Sequence, residues 1–137
     1  MIQNHYKGSL QNHYKEYDLP QWYVTSDSQR TLETSSIVIQ GLSLDHKQGE
    51  KRGDFYNASL PTLQEALWQQ DDKIDTVLFI GHNPGMSDLA TDLSKNPVEL
   101  KTADICCLSC DSSSWVLTDT SQRWSQLWRL SARGKEL

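Results

Sequence analysis

The chain has 137 residues, 23% of them charged and 36% hydrophobic, with a formal net charge of -5 at pH 7. That length suits one domain able to bury a core without disulfides or a metal, and net negative charge with scattered Lys and Arg excludes the clustered positive face that a nucleic-acid partner requires. No apolar run approaches the roughly 20 residues that cross a bilayer, and Met1 opens a polar segment without a signal-peptide core, so the expectation is a soluble, cytoplasmic protein with no membrane partner.

Residues 1–17 carry the pentapeptide Gln-Asn-His-Tyr-Lys twice, at 3–7 and 11–15, a spacing close to two helical turns that suggests a polar helix. Gln21 to Thr25, aromatic and β-branched after Pro20, reads as a strand. Ser26, Asp27 and Ser28 offer caps for a helix running through Gln40 and closed by Gly41. Leu42 to Asp54 has charges, Gly49, Gly53 and no period, and reads as a loop. Ser59 and Pro61 open a helix with Leu60, Leu63, Ala66 and Leu67 on one face.

Ile74 to Ile80 is nearly all apolar, the pattern of a central strand covered on both faces. Gly81-His82-Asn83-Pro84-Gly85 follows at once, with Asn83 as N-cap and Pro84 as first helical residue, and then Met86, Leu89, Ala90 and Leu93 fall at the spacing of a helix packed on a sheet. Three strands are expected beyond it, Ala103 to Cys110, Ser114 to Thr118 and Arg123 to Leu130. Strand-helix alternation followed by strands alone predicts an α/β fold, a single domain with a mixed sheet flanked by helices.

Cys107-x-x-Cys110 invites a metal or redox reading, but residues three apart on a strand point to opposite faces, and no second Cys pair or neighbouring His completes a site. The cysteines are therefore read as core residues of a reducing compartment, with no metal. His82 ends a buried strand and precedes a helix N-terminus, where free N–H groups and the helix dipole favour an anion, and ligands of open α/β sheets collect at the carboxyl ends of the strands. Arg30 follows the turn that ends the first strand, and its planar, permanently charged fork suits a phosphate. Taken alone, His82 also fits a capping histidine and Arg30 a surface arginine; together they point to a phosphate site, although neither residue is specific to phosphate.

The segment Val77-Leu-Phe-Ile-Gly-His82-Asn-Pro-Gly-Met86 resembles the second-histidine segment of SixA-type phosphohistidine phosphatases, a branch of the histidine phosphatase, or phosphoglycerate mutase-like, superfamily. Ser26, Arg30 and Thr34, four apart, resemble the family's segment carrying its second arginine, and Tyr56-Asn-Ala-Ser59 and a closing Trp-containing strand before Lys135-Glu136-Leu137 are also similar. The likeness runs from about Asp18 to the C-terminus. It implies a phosphoryl group passed to a histidine in an Arg-His-Gly motif and then to water, with Arg30 as second arginine, His82 as second histidine, Ser26, Gly81, Asn83 and Gly85 as pocket neighbours, and no metal or cofactor. The implied substrate is phosphohistidine on a signalling or phosphotransfer protein, although a small phosphoester uses the same pocket chemistry.

No Arg followed by His stands before His82, so the first strand and its nucleophile are missing from this sequence. His5 and His13 lie in the helical-looking repeat and His46 in a charged loop, and nothing promotes any of them to nucleophile. The expectation is a truncated version, a misassigned start, or a variant whose gap is filled by another segment or by a second subunit of a homodimer. The alternative function is a non-catalytic module that binds a phosphoryl group or a protein surface; a third reading is an incomplete fragment that folds poorly.

Overall fold

The computed structural model describes residues 19–117 and 124–131; the repeat, its two histidines and Lys135-Glu136-Leu137 lie outside these. Its organising strand is Trp22–Ser26 (β1), whose last four residues are buried. β1 pairs in parallel with Gly49–Arg52 (β2) on one side, Tyr23 opposite Gly49, and with Val77–Ile80 (β3) on the other, Val24 opposite Phe79. The order is therefore β2-β1-β3. A second sheet pairs Ile105–Ser109 (β4) antiparallel to Ser125–Leu130 (β5), with a bulge between Cys107 and Leu108. The helices are Gln29–Gly41 (α1), Leu60–Trp68 (α2) and Gly85–Ser94 (α3). The class is mixed α/β, as the strand-helix alternation predicts.

Side-chain alternation along the strands divides the core into two clusters. Val24, Phe55, Leu63, Ala66, Leu67, Leu89, Leu93 and Trp124 pack on one face with α2 and α3, joined by Val77 and Phe79; Val38, Leu42, Trp128 and Leu130 pack on the other with α1, joined by Leu78. Neighbouring residues of β3 thus serve opposite faces, as a strand's period of two requires. The same rule separates the cysteines: Cys107 packs on the α1 side and Cys110 on the α2–α3 side. The cysteines are half-buried and flank the core instead of lying in it, on opposite faces as their spacing predicts.

Three expectations need correction. The segment 42–54 contains a strand, β2, because a ladder partner supplies what its sequence lacks. An ideal Cβ at Gly49 would lie 2.2 Å from the Tyr23 ring, so only glycine lets β2 approach β1 there, while the Tyr23 hydroxyl donates to the His46 carbonyl at 2.7 Å. Its exposed Glu50 and Lys51 suit an edge strand. The strand expected over Ser114 to Thr118 is absent from the described residues, where Trp115–Leu117 form a 3-10 turn. The Asp72 carboxylate accepts from Ser114 Oγ and Trp115 N at 3.0 Å, and Trp115 Nε1 donates to the Ile74 carbonyl at 2.8 Å, fastening this segment by side chains instead of a ladder. Finally, β1 and not β3 is central among the described strands: β3 has one hydrogen-bonded neighbour and its four residues are only half-buried.

Candidate phosphoryl site at the carboxyl edge of the parallel sheet

β1 and β3 run in parallel, so their carboxyl ends bring Ser26 and Gly81-His82 to one edge of the sheet. From Ser26 the chain turns into α1 with Ser28 as N-cap, in extended conformation, its hydroxyl accepting from Thr31 N. A Ser before a helical run does this because its oxygen satisfies one of the orphan N–H groups of the first turn. The buried stripe of α1 is polar at this end, Thr31 and Ser35, and apolar at the other, Val38 and Ile39. The polar half is bonded throughout: Thr25 Oγ1 lies 2.6 Å from Ser35 Oγ, which donates to the Thr31 carbonyl at 2.7 Å.

His82 meets this wall of hydroxyls. Its Nε2 lies 2.9 Å from Ser26 Oγ, 3.1 Å from Thr31 Oγ1 and 3.4 Å from Ser28 Oγ, and its ring meets the Tyr56 ring edge-on at 5.3 Å. Ser28 Oγ also donates to Thr31 Oγ1 at 2.8 Å. The imidazole is thus fixed over the N-terminus of α1, whose unpaired N–H groups and dipole attract negative charge. Ser26 and His82 have the spacing of a base-assisted hydroxyl nucleophile, but Ser26 is 0% exposed and cannot reach a substrate. It positions the imidazole.

Arg30 is exposed in the first turn of α1 and lines the same cavity as His82. No acidic residue shares that turn, and Arg30 has no ion pair among the described residues. A cation at a helix N-terminus opposes the dipole. Such a local conflict without an internal partner is what a bound anion relieves. Arg52, by contrast, is spent: it holds Asp54 with two hydrogen bonds of 2.9 and 2.7 Å, which raise the guanidinium pKa and hold the carboxyl below its ordinary range.

The other sequence-predicted residues have supporting places. The Asn83 side chain donates to the Leu100 carbonyl and accepts from Ser87 N at 3.2 Å and Ser87 Oγ at 2.7 Å, so it braces the loop. The helix starts one residue later than expected, at Gly85 with Pro84 as cap residue, although Asn83 still satisfies a first-turn N–H. Gly85 is buried where an ideal Cβ would meet the Ala58 carbonyl oxygen at 2.3 Å, and Gly81 faces the Met86 thioether. The structure therefore brings Ser26, Arg30, Gly81 and His82 to one edge. Thr34 lines the cavity too, its hydroxyl donating to the Arg30 carbonyl at 3.3 Å. Thr31, Ser28 and Tyr56 were not singled out as partners of His82; Ser28-x-x-Thr31 at a helix start is a signal for the first two. His46 is exposed before β2, at the opposite edge of the sheet, so among the described residues His82 is the only imidazole at this site.

The carboxyl-edge cavity continues between β3 and β4, where Cys106 and Cys107 line it. Burial pushes both thiols up to about 11. No group of His, Cys, Asp and Glu among the described residues could hold a metal ion, and no helix among them is long and apolar enough to cross a membrane.

No protein-family model matches the sequence, and no curated protein does either. Solved structures do match in fold. A candidate phosphohistidine phosphatase SixA from Agrobacterium tumefaciens superposes with TM-score 0.69 at 18% identity, over 95% of this chain and 77% of that one. A corresponding SixA protein from Nakamurella multipartitia gives 0.69 at 14% identity, over 94% and 81%. The protein histidine phosphatase SixA in complex with tungstate gives 0.72 at 16% identity, over 95% and 80%. The chain has a SixA-like fold.

Proposed function

We propose that this chain is a phosphohistidine phosphatase-like protein whose carboxyl-edge site takes the phosphoryl group of a phosphorylated signalling or phosphotransfer protein. The observation that carries the reading is the convergence of three anion-binding features on one cavity: the Arg30 guanidinium, the His82 imidazole held by Ser26, Ser28 and Thr31, and the N-terminus of α1. The structural neighbours are in keeping with it, since they are named for phosphohistidine chemistry and one binds tungstate, a tetrahedral oxyanion like phosphate.

Transfer of a phosphoryl group needs charge stabilised on its equatorial oxygens and a nucleophile in line with the leaving group. Arg30 would bind two of those oxygens with its fork and His82 would donate to a third, each interaction strengthening as charge develops. The group that takes the phosphoryl is not among the described residues of the site. The alternative reading is a phosphoryl-binding module without turnover.

Hydrolysis of a histidine-phosphorylated phosphotransfer protein, followed beside Arg30→Ala and His82→Ala, tests the first reading. Turnover by the wild type that falls at least ~10-fold in both variants supports the phosphatase, given roughly 1.5–3 kcal/mol for a hydrogen bond to a charged group. Binding of the phosphoprotein with no turnover supports the module. Turnover indifferent to both substitutions removes the site from the reaction.

A further inference from the structure

The loop that carries Tyr56 is anchored on both sides of it. Gly53–Phe55 form a 3-10 turn at the end of β2, and Tyr56 N donates to the Gly53 carbonyl at 3.2 Å. Phe55 is 0% exposed, its ring edge-on to Phe79 at 5.3 Å and covered by the Arg52 guanidinium at 5.4 Å, which its two hydrogen bonds to Asp54 hold in place. Asn57 then takes the left-handed conformation, φ 50°, that Asn adopts more readily than most residues. The chain returns inward at Ala58, whose N–H donates to the Phe55 carbonyl at 3.4 Å, whose methyl packs on the core and whose own carbonyl lies against Gly85.

Between these two inward anchors Tyr56 is 59% exposed. Exposure alone decides nothing, since many apolar side chains stay on protein surfaces. The neighbour of the ring does: Tyr56 stands edge-on to the His82 imidazole, centroids 5.3 Å and planes 75° apart. His82 is held from the α1 side by Ser26, Ser28 and Thr31 and shares its cavity with Arg30. A phosphoryl group taken by Arg30 and His82 therefore brings the group it is bonded to within reach of an exposed aromatic ring on a fixed loop. A tyrosine with two side-chain torsions on such a loop offers contact area at small entropic cost, and a planar partner gains edge or offset-stacked contacts with it that an alkyl chain does not. We infer that Tyr56 selects the group that carries the phosphoryl, favouring a planar aromatic ring bonded directly to phosphorus, such as the imidazole of phosphohistidine, over an alkyl phosphoester. The inference rests on the phosphoryl reading of the site and adds to it the residue that distinguishes the substrate class.

The test is calorimetric titration of the full chain with phenylphosphonate, a non-hydrolysable ligand whose ring is bonded directly to phosphorus, beside methylphosphonate and tungstate, at a pH where both phosphonates are dianions. The wild type should bind phenylphosphonate roughly 3–10-fold more tightly than methylphosphonate, the range of an aromatic pair. Tyr56→Phe should keep that ratio, and Tyr56→Leu, apolar but not aromatic, should bring it to about one. Because residue 56 is exposed, both variants should fold as the wild type does, which their urea midpoints check. Equal affinity for the two phosphonates in the wild type, a ratio unchanged in Tyr56→Leu, or tungstate binding with neither phosphonate would overturn the inference while leaving the phosphoryl site standing. Binding of neither phosphonate nor tungstate would remove the phosphoryl site and this inference with it.

Discussion

Gly85→Ala probes how α3 carries the His82 loop. A Cβ at residue 85 would sit 2.3 Å from the Ala58 carbonyl oxygen and 3.2 Å from Leu63 Cδ1. Non-bonded carbon atoms prefer roughly 3.5–4.0 Å, so α3 or the segment before α2 must move by about 1 Å. Both contacts lie in the packed layer between α2 and α3, and the nearer is backbone, which cannot rotate away. Overpacking of this kind costs about 1–3 kcal/mol, against which alanine's better helix propensity returns at most about 1 kcal/mol. The expected net loss is about 1–2 kcal/mol. With a urea m-value of roughly 2 kcal/mol/M for a domain of this size, the midpoint falls by about 0.5–1 M at unchanged m. Because Met86 N donates to the His82 carbonyl at 3.0 Å, the displacement reaches the site, and oxyanion affinity should weaken as well. Gly81→Ala is the control: its nearest neighbour is the Met86 thioether at 3.1 Å, the far end of a flexible side chain, and the cost should stay below about 1 kcal/mol. A Gly85→Ala midpoint equal to that of the wild type would refute the close approach.

Thr31→Val keeps shape but removes the hydroxyl 3.1 Å from His82 Nε2, so oxyanion affinity should fall about 2–12-fold by calorimetry, the range of one neutral hydrogen bond, with a folded circular dichroism spectrum. Leu63→Ala empties a site 1% exposed at the centre of the α2–α3 cluster and should lower stability by about 2–5 kcal/mol in urea unfolding, with loss below 1 kcal/mol contradicting the packing described. Cys106 and Cys107, pushed up to about 11 by burial, should react slowly with iodoacetamide at pH 8 and faster as pH rises toward 11. The linked stability change has the sign of a raised pKa: the folded state holds these protons more tightly, so the contribution is whole below the ordinary thiol value and is lost as pH rises through about 11.

Local chemistry made much of this architecture readable in the sequence. α1, α2 and α3 announce themselves through caps and apolar stripes, and His82 through its position between a buried strand and a helix N-terminus. β2 could not be read because Gly-Glu-Lys-Arg has no strand pattern of its own; the Tyr23 ring over Gly49 and the β1 ladder, both remote in sequence, make it a strand. Trp115 misled because an aromatic followed by Val and Leu suits a strand, whereas the deciding contacts are to Asp72 and Ile74, about 40 residues away. At the site, Arg30 and His82 were legible from residue type and position. The hydroxyl wall that fixes the imidazole was not, because three hydroxyls converge on one nitrogen only when β1, α1 and β3 are assembled. The apolar run of β3 suggested a centre strand; its side chains are apolar because Val77 and Phe79 pack on one core cluster and Leu78 on the other, although β1 is its one hydrogen-bonded neighbour among the described strands.

An oxyanion site made by Arg30 and His82 should reveal itself in isothermal titration of the full chain with tungstate. One tungstate should bind per chain, with affinity at least ~10-fold lower in each of Arg30→Ala and His82→Ala at unchanged urea midpoint. Undiminished tungstate binding in both folded variants would contradict it.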